Sequence, residues 1–241
     1  MTGFPRIEPL GESALLVRFG DRLDDAVNRA ALAFRADLER RPVGGVAETA
    51  PSLGSVLVRL AGDAAAVEGA LLDRLAAWAW GEAPLPPRRR WRIPCHYGGA
   101  DGPDLAEVAA MAGLTEAAAV VALGAAPVRV LALGFAPGMP YLGILPPRWD
   151  LPRRTDLAPR VPEGALVIAV RQLVLFGAAA PTGWRHVGRT AFGCFRPGRA
   201  RPVALAPGDE VTFPAVGADA LEAAAAADRD GHGGATWEAV A

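Results

Sequence analysis

Four arginines follow an unusual loop in this chain, and their chemistry sets the first question. Seven of the fourteen residues from Gly134 to Pro147 are glycine or proline, directly after the apolar run Val128 to Leu133. Glycine reaches backbone angles that other residues adopt only at a cost, and proline fixes φ and removes a donor. Such a segment is a stiff, shaped loop leaving a strand, not a flexible linker. Arg153, Arg154, Arg160 and Arg189 come after it. A guanidinium presents a rigid fork of donors that suits a carboxylate or a phosphate. The four are therefore candidates for binding an anionic substrate in a hollow shared with the loop. The competing expectation is that they pair with acids such as Asp150, Asp156 or Glu163, because anion sites and structural ion pairs look alike in sequence.

His186, between Trp184 and Gly188, is the candidate catalytic group. A histidine near neutral pKa can act as a general base for water attack. Phe135, Met139 and Tyr141 would form an apolar wall beside the polar groups, as small-molecule sites commonly have, or else plain core. Trp184 is expected to anchor packing, with its indole N–H seeking a partner if buried. Gln172 and Arg171 are neighbours on a strand and must face opposite sides, so one of them points toward the site. Gly138 and Thr190, inside the same segments, complete the substrate-binding candidates. His96, beside Cys95 and Tyr97, reads as a packed or capping residue, and two such residues do not make a metal site. No metal is expected.

Composition narrows the classes. The 241 residues allow one large domain or two small ones, and the net charge of −1 gives no sign of bulk nucleic-acid binding. All 25 basic residues are arginine, which excludes a lysine Schiff base, a lysine nucleophile and a P-loop lysine. Neither a glycine-rich dinucleotide motif nor HExxH nor GxSxG is present. The two cysteines, Cys95 and Cys194, lack CxxC spacing and read as buried free thiols. The first residues lack the apolar stretch of a signal peptide. The run Ala117 to Val128 falls short of the ~20 residues that span a bilayer. A soluble cytoplasmic chain without membrane contact is expected.

Elements that would position these residues fall into two halves. In the first, Ser13 to Phe19 reads as a strand and Asp21 to Asp25 caps a helix running to about Arg40, with Val27, Ala31, Phe34 and Leu38 on one face. Val46 to Thr49 and Ser55 to Leu60 read as strands. Asp63 caps a second helix that carries Val67, Leu71, Leu75 and Trp78 toward the core. This order suggests a small α+β sandwich over residues 1–85. Gly81 to Arg90, with Arg88-Arg89-Arg90, reads as a solvated boundary; an anion site is the alternative. A strand at Trp91 to Cys95, a turn at Tyr97 to Gly99 and helical pieces at Asp104 to Ala112 and Thr115 to Leu123 follow. Strands are then expected at 128–133, 165–170, 173–176, 190–195, 203–205 and 211–213, which fits a closed barrel or sandwich over residues 86–216. Residues 217–241, rich in alanine and glycine, are expected to form a frayed tail or an isolated helix.

Several ordered blocks resemble the family that contains the 5-oxoprolinase subunit PxpB and the sporulation-kinase inhibitor KipI, also called allophanate hydrolase subunit 1 or carboxyltransferase domain subdomains C and D. They are Pro9 to Val17 with Phe19-Gly20, Pro94 to Gly99, Gly102-Pro103-Asp104-Leu105, Leu133 to Gly143, Pro152-Arg153-Arg154, Arg160 to Gly164, Gly183-Trp184, Val187 to Thr190 and Pro207-Gly208-Asp209. The resemblance runs from about Ile7 to Pro214. It implies an α+β class with a small N-terminal domain and a C-terminal cyclophilin-like β-barrel. It also implies partners: a larger allophanate hydrolase subunit 2-type (PxpC-like) chain and a LamB/YcsF-type (PxpA-like) chain. Such complexes open 5-oxoproline to glutamate with ATP as co-substrate, the single subunit being inactive alone.

Departures lie where a site is expected. The family's Gly-Gly-Gln-Thr-Gly-like piece is Val170-Arg171-Gln172-Leu173-Val174 here, and its Ser-Pro-Gly-Gly-Trp-like piece is Ala180 to Trp184. A histidine common near the end of the helix before Val128 is Gly124. Two further readings therefore stand beside the enzyme subunit: a KipI-like regulator that binds a histidine kinase, and a divergent carboxyltransferase-type subunit.

Overall fold

The computed structural model of the protein describes residues 3–77 and 79–240. The chain divides into two compact units between Pro87 and Arg88. It is of the mixed α+β class.

In the first unit the elements run β1 (Arg6–Pro9), β2 (Ala14–Arg18), α1 (Asp25–Arg40), β3 (Val46–Ser52), β4 (Ser55–Leu60) and α2 (Ala64–Ala76). The four strands form one antiparallel sheet in the order β1-β2-β4-β3. Side chains alternate across a strand, so Leu15 and Val17 of β2 and Val56 and Val58 of β4 turn one face inward. Ala31, Phe34 and Leu38 of α1 and Val67, Leu71 and Leu75 of α2 cover that face. Both helices start on an aspartate that accepts a backbone N–H: Asp24 from Val27 and Asp63 from Ala65. The expected core position of Trp78 lies outside the described residues. Asp37 is buried under Arg41 and Arg74. Burial alone would push its carboxyl up, but hydrogen bonds from Arg74 and Arg41 outweigh that and hold it below the usual carboxylate value.

The second unit continues with β5 (Arg88–Arg92), β6 (Cys95–Tyr97), α3 (Leu105–Met111), α4 (Glu116–Ala125), β7 (Val128–Leu133), β8 (Pro140–Gly143), β9 (Ala158–Val161), β10 (Ala165–Ala169), β11 (Gln172–Leu175), β12 (Ala180–Thr182), β13 (Arg185–Thr190), β14 (Glu210–Thr212), α5 (Ala218–Ala227) and β15 (Thr236–Val240). Nine strands form one sheet, β15-β5-β14-β7-β8-β11-β10-β13-β6, while β9 and β12 pair separately. The sheet curls on itself. β5 lies beside β14, and β6, three residues further along the same bent segment, lies beside β13 at the far end. Cys95 N–H also donates to the Pro214 carbonyl, bringing the two ends together.

Strand periodicity splits the interior into two cores. Leu166 and Ile168 of β10 and Leu173 and Leu175 of β11 join the main core with Trp91, Val108, Leu123, Val130 and Phe213. Their neighbours Ala165, Val167, Ala169, Val174 and Phe176 face the other way, into a second cluster with Met139, Val161 and Trp184. Phe135, Tyr141, Arg153, Arg154 and Trp184 of the candidate site residues line a cleft over that second cluster.

Three expectations are corrected. Arg88-Arg89-Arg90 is no linker: β5 pairs with β14 and β15, and its arginines meet Glu210, Asp209 and Glu238, acids more than a hundred residues away in sequence. Asp209 is buried and accepts from the Arg89 and Ala206 backbone N–H groups and from the Trp91 indole. Of the two forms expected after Val216, the helix is present as α5, but the segment is neither frayed nor isolated. β15 adds an edge strand to β5, and His232 packs against Trp91 and stacks on Phe192. Finally, the chain after Thr190 is not strand: β13 ends there, and within 190–205 only a lone bridge joins Phe195 to Val203. The glycine- and proline-rich loop itself closes into strand β8 after a turn in which Gly134 N–H donates to the Met139 carbonyl.

Candidate functional site

A cleft of about 290 Å³ opens above the second core cluster. Its floor is Met139, Val174, Phe176 and Trp184, all buried, with Tyr141 set edge-on to Trp184 at 6.3 Å between ring centres. The turn after β7 supplies Phe135, and β12 with Gly183 supplies Pro181 and Thr182. The Thr182 hydroxyl accepts from the Trp184 backbone N–H and fixes the bend between β12 and β13. Phe135 and Leu157 stand at the lips, 75% and 67% exposed. Phe135 holds φ at +70°, a left-handed angle that a bulky residue rarely adopts. At Gly138 φ is +69°, and a Cβ there would stand 2.5 Å from the Cys194 carbonyl oxygen, so glycine lets the turn lie directly on that backbone.

The charge in the cleft comes from Arg153 and Arg154; no acid is among its lining residues. The Arg153 guanidinium lies 5.2 Å from the centre of the Trp184 ring, a cation–π arrangement. Arg154 is tied at both ends. Its backbone N–H donates to the Gly183 carbonyl at 2.7 Å, and Nη1 donates to Asp104 Oδ1 at 2.7 Å. Asp104 Oδ2 in turn accepts the His186 backbone N–H. A half-enclosed aromatic floor with guanidiniums at its edge can hold a small flat molecule that carries an anion.

The other sequence candidates lie elsewhere. Arg160 is exposed on β9 and does not line the cleft. Arg189 is occupied by Asp101, through Nε at 2.6 Å, and by Glu222, through Nη2 at 2.7 Å. These are not the acids anticipated for it. The Arg189 hydrogen bond, with a second from His96, holds the Asp101 carboxyl below its ordinary value. His186 is buried in β13, with Nε2 at 3.0 Å from the Gly188 carbonyl, and is not among the lining residues. Burial lowers its pKa, which favours the neutral ring. Thr190 is buried and accepts from Phe192 N–H. Gln172 shares a strand face with the cleft residue Val174 but sits by the β10–β11 turn, outside the lining; Arg171 donates to the Leu145 carbonyl.

Sequence reasoning missed Leu157, Val174, Phe176, Pro181 and Thr182. The alternation Val174, Phe176 was a readable signal for two of them. Asp104 was visible only as part of a shared block. Both cysteines are buried free thiols raised by burial, Cys194 to about 12, which leaves them poor nucleophiles. Among the described residues no group of three or more His, Cys, Asp or Glu is placed to hold a metal. No single helix among them is long and apolar enough to cross a membrane.

A sequence model of the carboxyltransferase domain, subdomain C and D, matches residues 5–205. The B-type 5-oxoprolinase subunit of Bacillus subtilis (strain 168) is 34% identical over 88% of this chain and 93% of its own length. That of Escherichia coli O157:H7 is 40% identical over 70% of this chain and 77% of its own. The crystal structure of TTHA0988 superposes on 85% of this chain with a TM-score of 0.70 at 34% identity, but this chain spans only 40% of that longer polypeptide.

Proposed function

The chain belongs to the carboxyltransferase domain, subdomain C and D, family, and on that premise we propose that it is the B-type subunit of a 5-oxoprolinase. In this reading it works with a larger PxpC-like subunit and a LamB/YcsF-type subunit in the cytoplasm, and the assembly opens 5-oxo-L-proline to L-glutamate with ATP. The observation that carries the reading is the cleft, where a guanidinium over an indole borders an apolar floor of the size suited to a compact ring acid. Relatives at 34% and 40% identity that are named as B-type subunits of 5-oxoprolinase support it. The curled sheet of the second unit is then the cyclophilin-like barrel of the family.

Chemically, 5-oxoproline is a planar lactam bearing one carboxylate. Phosphoryl transfer from ATP to the lactam oxygen would make the carbonyl carbon electrophilic. Water adds there, the C–N bond breaks and the ring nitrogen takes a proton, which leaves a γ-glutamyl phosphate; a second water then displaces phosphate and leaves the free carboxylate. This chain's part is to hold the carboxylate and lay the ring against Trp184 and Tyr141. His186, buried in β13 away from the cleft, is not the base in this scheme.

Reconstitution with the two partner subunits tests the proposal by ATP-dependent glutamate release. A complete assembly that binds all components and does not turn over would sink it. The regulatory alternative drew on the missing glycines around Gln172. The turn keeps left-handed angles at Val170 and Arg171 without them, so that substitution no longer separates the readings.

A further inference from the structure

The two guanidiniums of the cleft are not equivalent, and their difference defines what the site can hold. Arg154 has one nitrogen committed to Asp104 at 2.7 Å, so its charge is largely offset where it stands. Asp104 is itself locked to β13 in both directions, accepting from His186 N–H at 2.8 Å and donating its own N–H to the His186 carbonyl at 3.0 Å. Arg153 has no carboxylate within salt-bridge distance among the described residues and lies on the Trp184 face. Arg154 is paired with Asp104 and also feels the charges of Glu107 and Asp156, so Arg153 is the cleft arginine left to meet an incoming anion.

From this we propose that the cleft is a monoanion site, in which Arg153 takes one carboxylate attached to a flat apolar body, and that nucleotide phosphates bind elsewhere. The inference rests on the reading of the cleft as the substrate site and sharpens it. Polyphosphates are cradled by runs of backbone N–H groups, at helix N-termini or glycine-rich loops, together with several positive charges. Here the lining has one glycine, Gly183, whose carbonyl faces the Arg154 amide, and no helix end. The volume of about 290 Å³ is at the small end for ligand sites.

Two acids that do not touch the cleft act as positioning residues. Asp104 grips Arg154 directly. Glu107 accepts from Arg185 Nε at 3.0 Å, and Arg185 Nη1 donates at 2.6 Å to the carbonyl of Pro152, the residue before Arg153. The first turn of α3 thus braces the arginine pair from behind. That gives the shared blocks Gly102-Pro103-Asp104 and Pro152-Arg153-Arg154 one common purpose.

The test uses benzoate, phthalate, 5-oxoproline and ATP as probes, read by ligand-observed NMR on the full chain and on its assembled complex. Benzoate and 5-oxoproline are expected to compete for one site, with phthalate binding no tighter than benzoate. Arg153→Ala should weaken benzoate about tenfold or more, and Arg153→Lys less. Asp104→Asn keeps an oxygen for the His186 amide but frees Arg154, and should raise phthalate affinity relative to benzoate about tenfold. ATP binding should be indifferent to Arg153. Tighter phthalate or ATP binding that depends on Arg153, or benzoate binding that ignores it in both chain and complex, overturns the proposal. A complex that binds benzoate as described yet releases no glutamate refutes the activity and leaves the monoanion site intact.

Discussion

Arg189 grips Asp101 with two nitrogens, Nε at 2.6 Å and Nη2 at 3.3 Å, and the same Nη2 reaches Glu222 of α5 at 2.7 Å. Asp101 also receives His96 Nδ1 at 2.8 Å. One arginine of β13 therefore ties the turn after β6 to a helix from the end of the chain. It is a clasp between elements and not part of the cleft. Arg189→Ala should lower stability by about 1–3 kcal/mol, because a partly buried carboxylate loses its main partner. Ligand affinity at the cleft should not move. Urea unfolding and benzoate titration of the same variant check both halves.

The β10–β11 turn stores strain. Val170 and Arg171, between the paired residues Ala169 and Gln172, hold φ at +43° and +61°. Two left-handed residues in a two-residue link define a type I′ turn, which favours asparagine and glycine. Hydrogen bonds from Val170 N–H to Leu151 and from Arg171 N–H to Trp149 hold the angles in place. Val170→Asn should stabilise the protein by about 1 kcal/mol, since valine is the costlier residue there. A rise in the urea midpoint with an unchanged slope is the expected result.

His186 should make stability fall in mild acid. Its pKa in the fold is lowered chiefly by burial, below the ordinary value of 6.5, although the charges of Asp104 and Asp101 favour protonation. The unfolded chain then takes up the proton first. The contribution is complete above about pH 6.5 and is lost as the pH falls toward the lowered native value. Unfolding midpoints measured from pH 7.5 to pH 5 should drop less steeply in His186→Gln than in the parent.

Gly138 is required by its surroundings and not by a ligand. Gly138→Ala combines a left-handed φ with a Cβ pressed against the Cys194 carbonyl. About 2 kcal/mol or more of destabilisation follows. The thermal midpoint of the purified variant reports it, and a loss of ligand binding without loss of stability would contradict it.

Much of the architecture could be read from residue order alone. The capped helices at Asp24 and Asp63 and the strands Ser55–Leu60 and Val128–Leu133 follow from periodicity and local caps, which are short-range properties. Phe135, Met139 and Tyr141, which the sequence left open as pocket wall or plain core, line the cleft, with Met139 also part of the second core cluster. Less visible were strands whose partners lie far away. Arg88–Arg92 looks like a charged linker until Asp209, Glu210 and Glu238 come beside it. The segment after Val216 reads as a frayed tail or an isolated helix until Trp91 and Phe192 receive His232.

By itself the sequence determined the family, the α+β class and the presence of arginines beside a stiff turn, because blocks, caps and alternation are written along the chain. Which arginines meet was decided in three dimensions. Arg153 and Arg154 reach the cleft because Gly183, Asp104 and the Arg185–Glu107 pair hold their segment there. Arg189 turns to Asp101 and Glu222, and Arg160 faces solvent. A guanidinium carries the same charge in either setting, so its place relative to the cleft, together with the carboxylates around it, separates a cleft residue from a structural clasp.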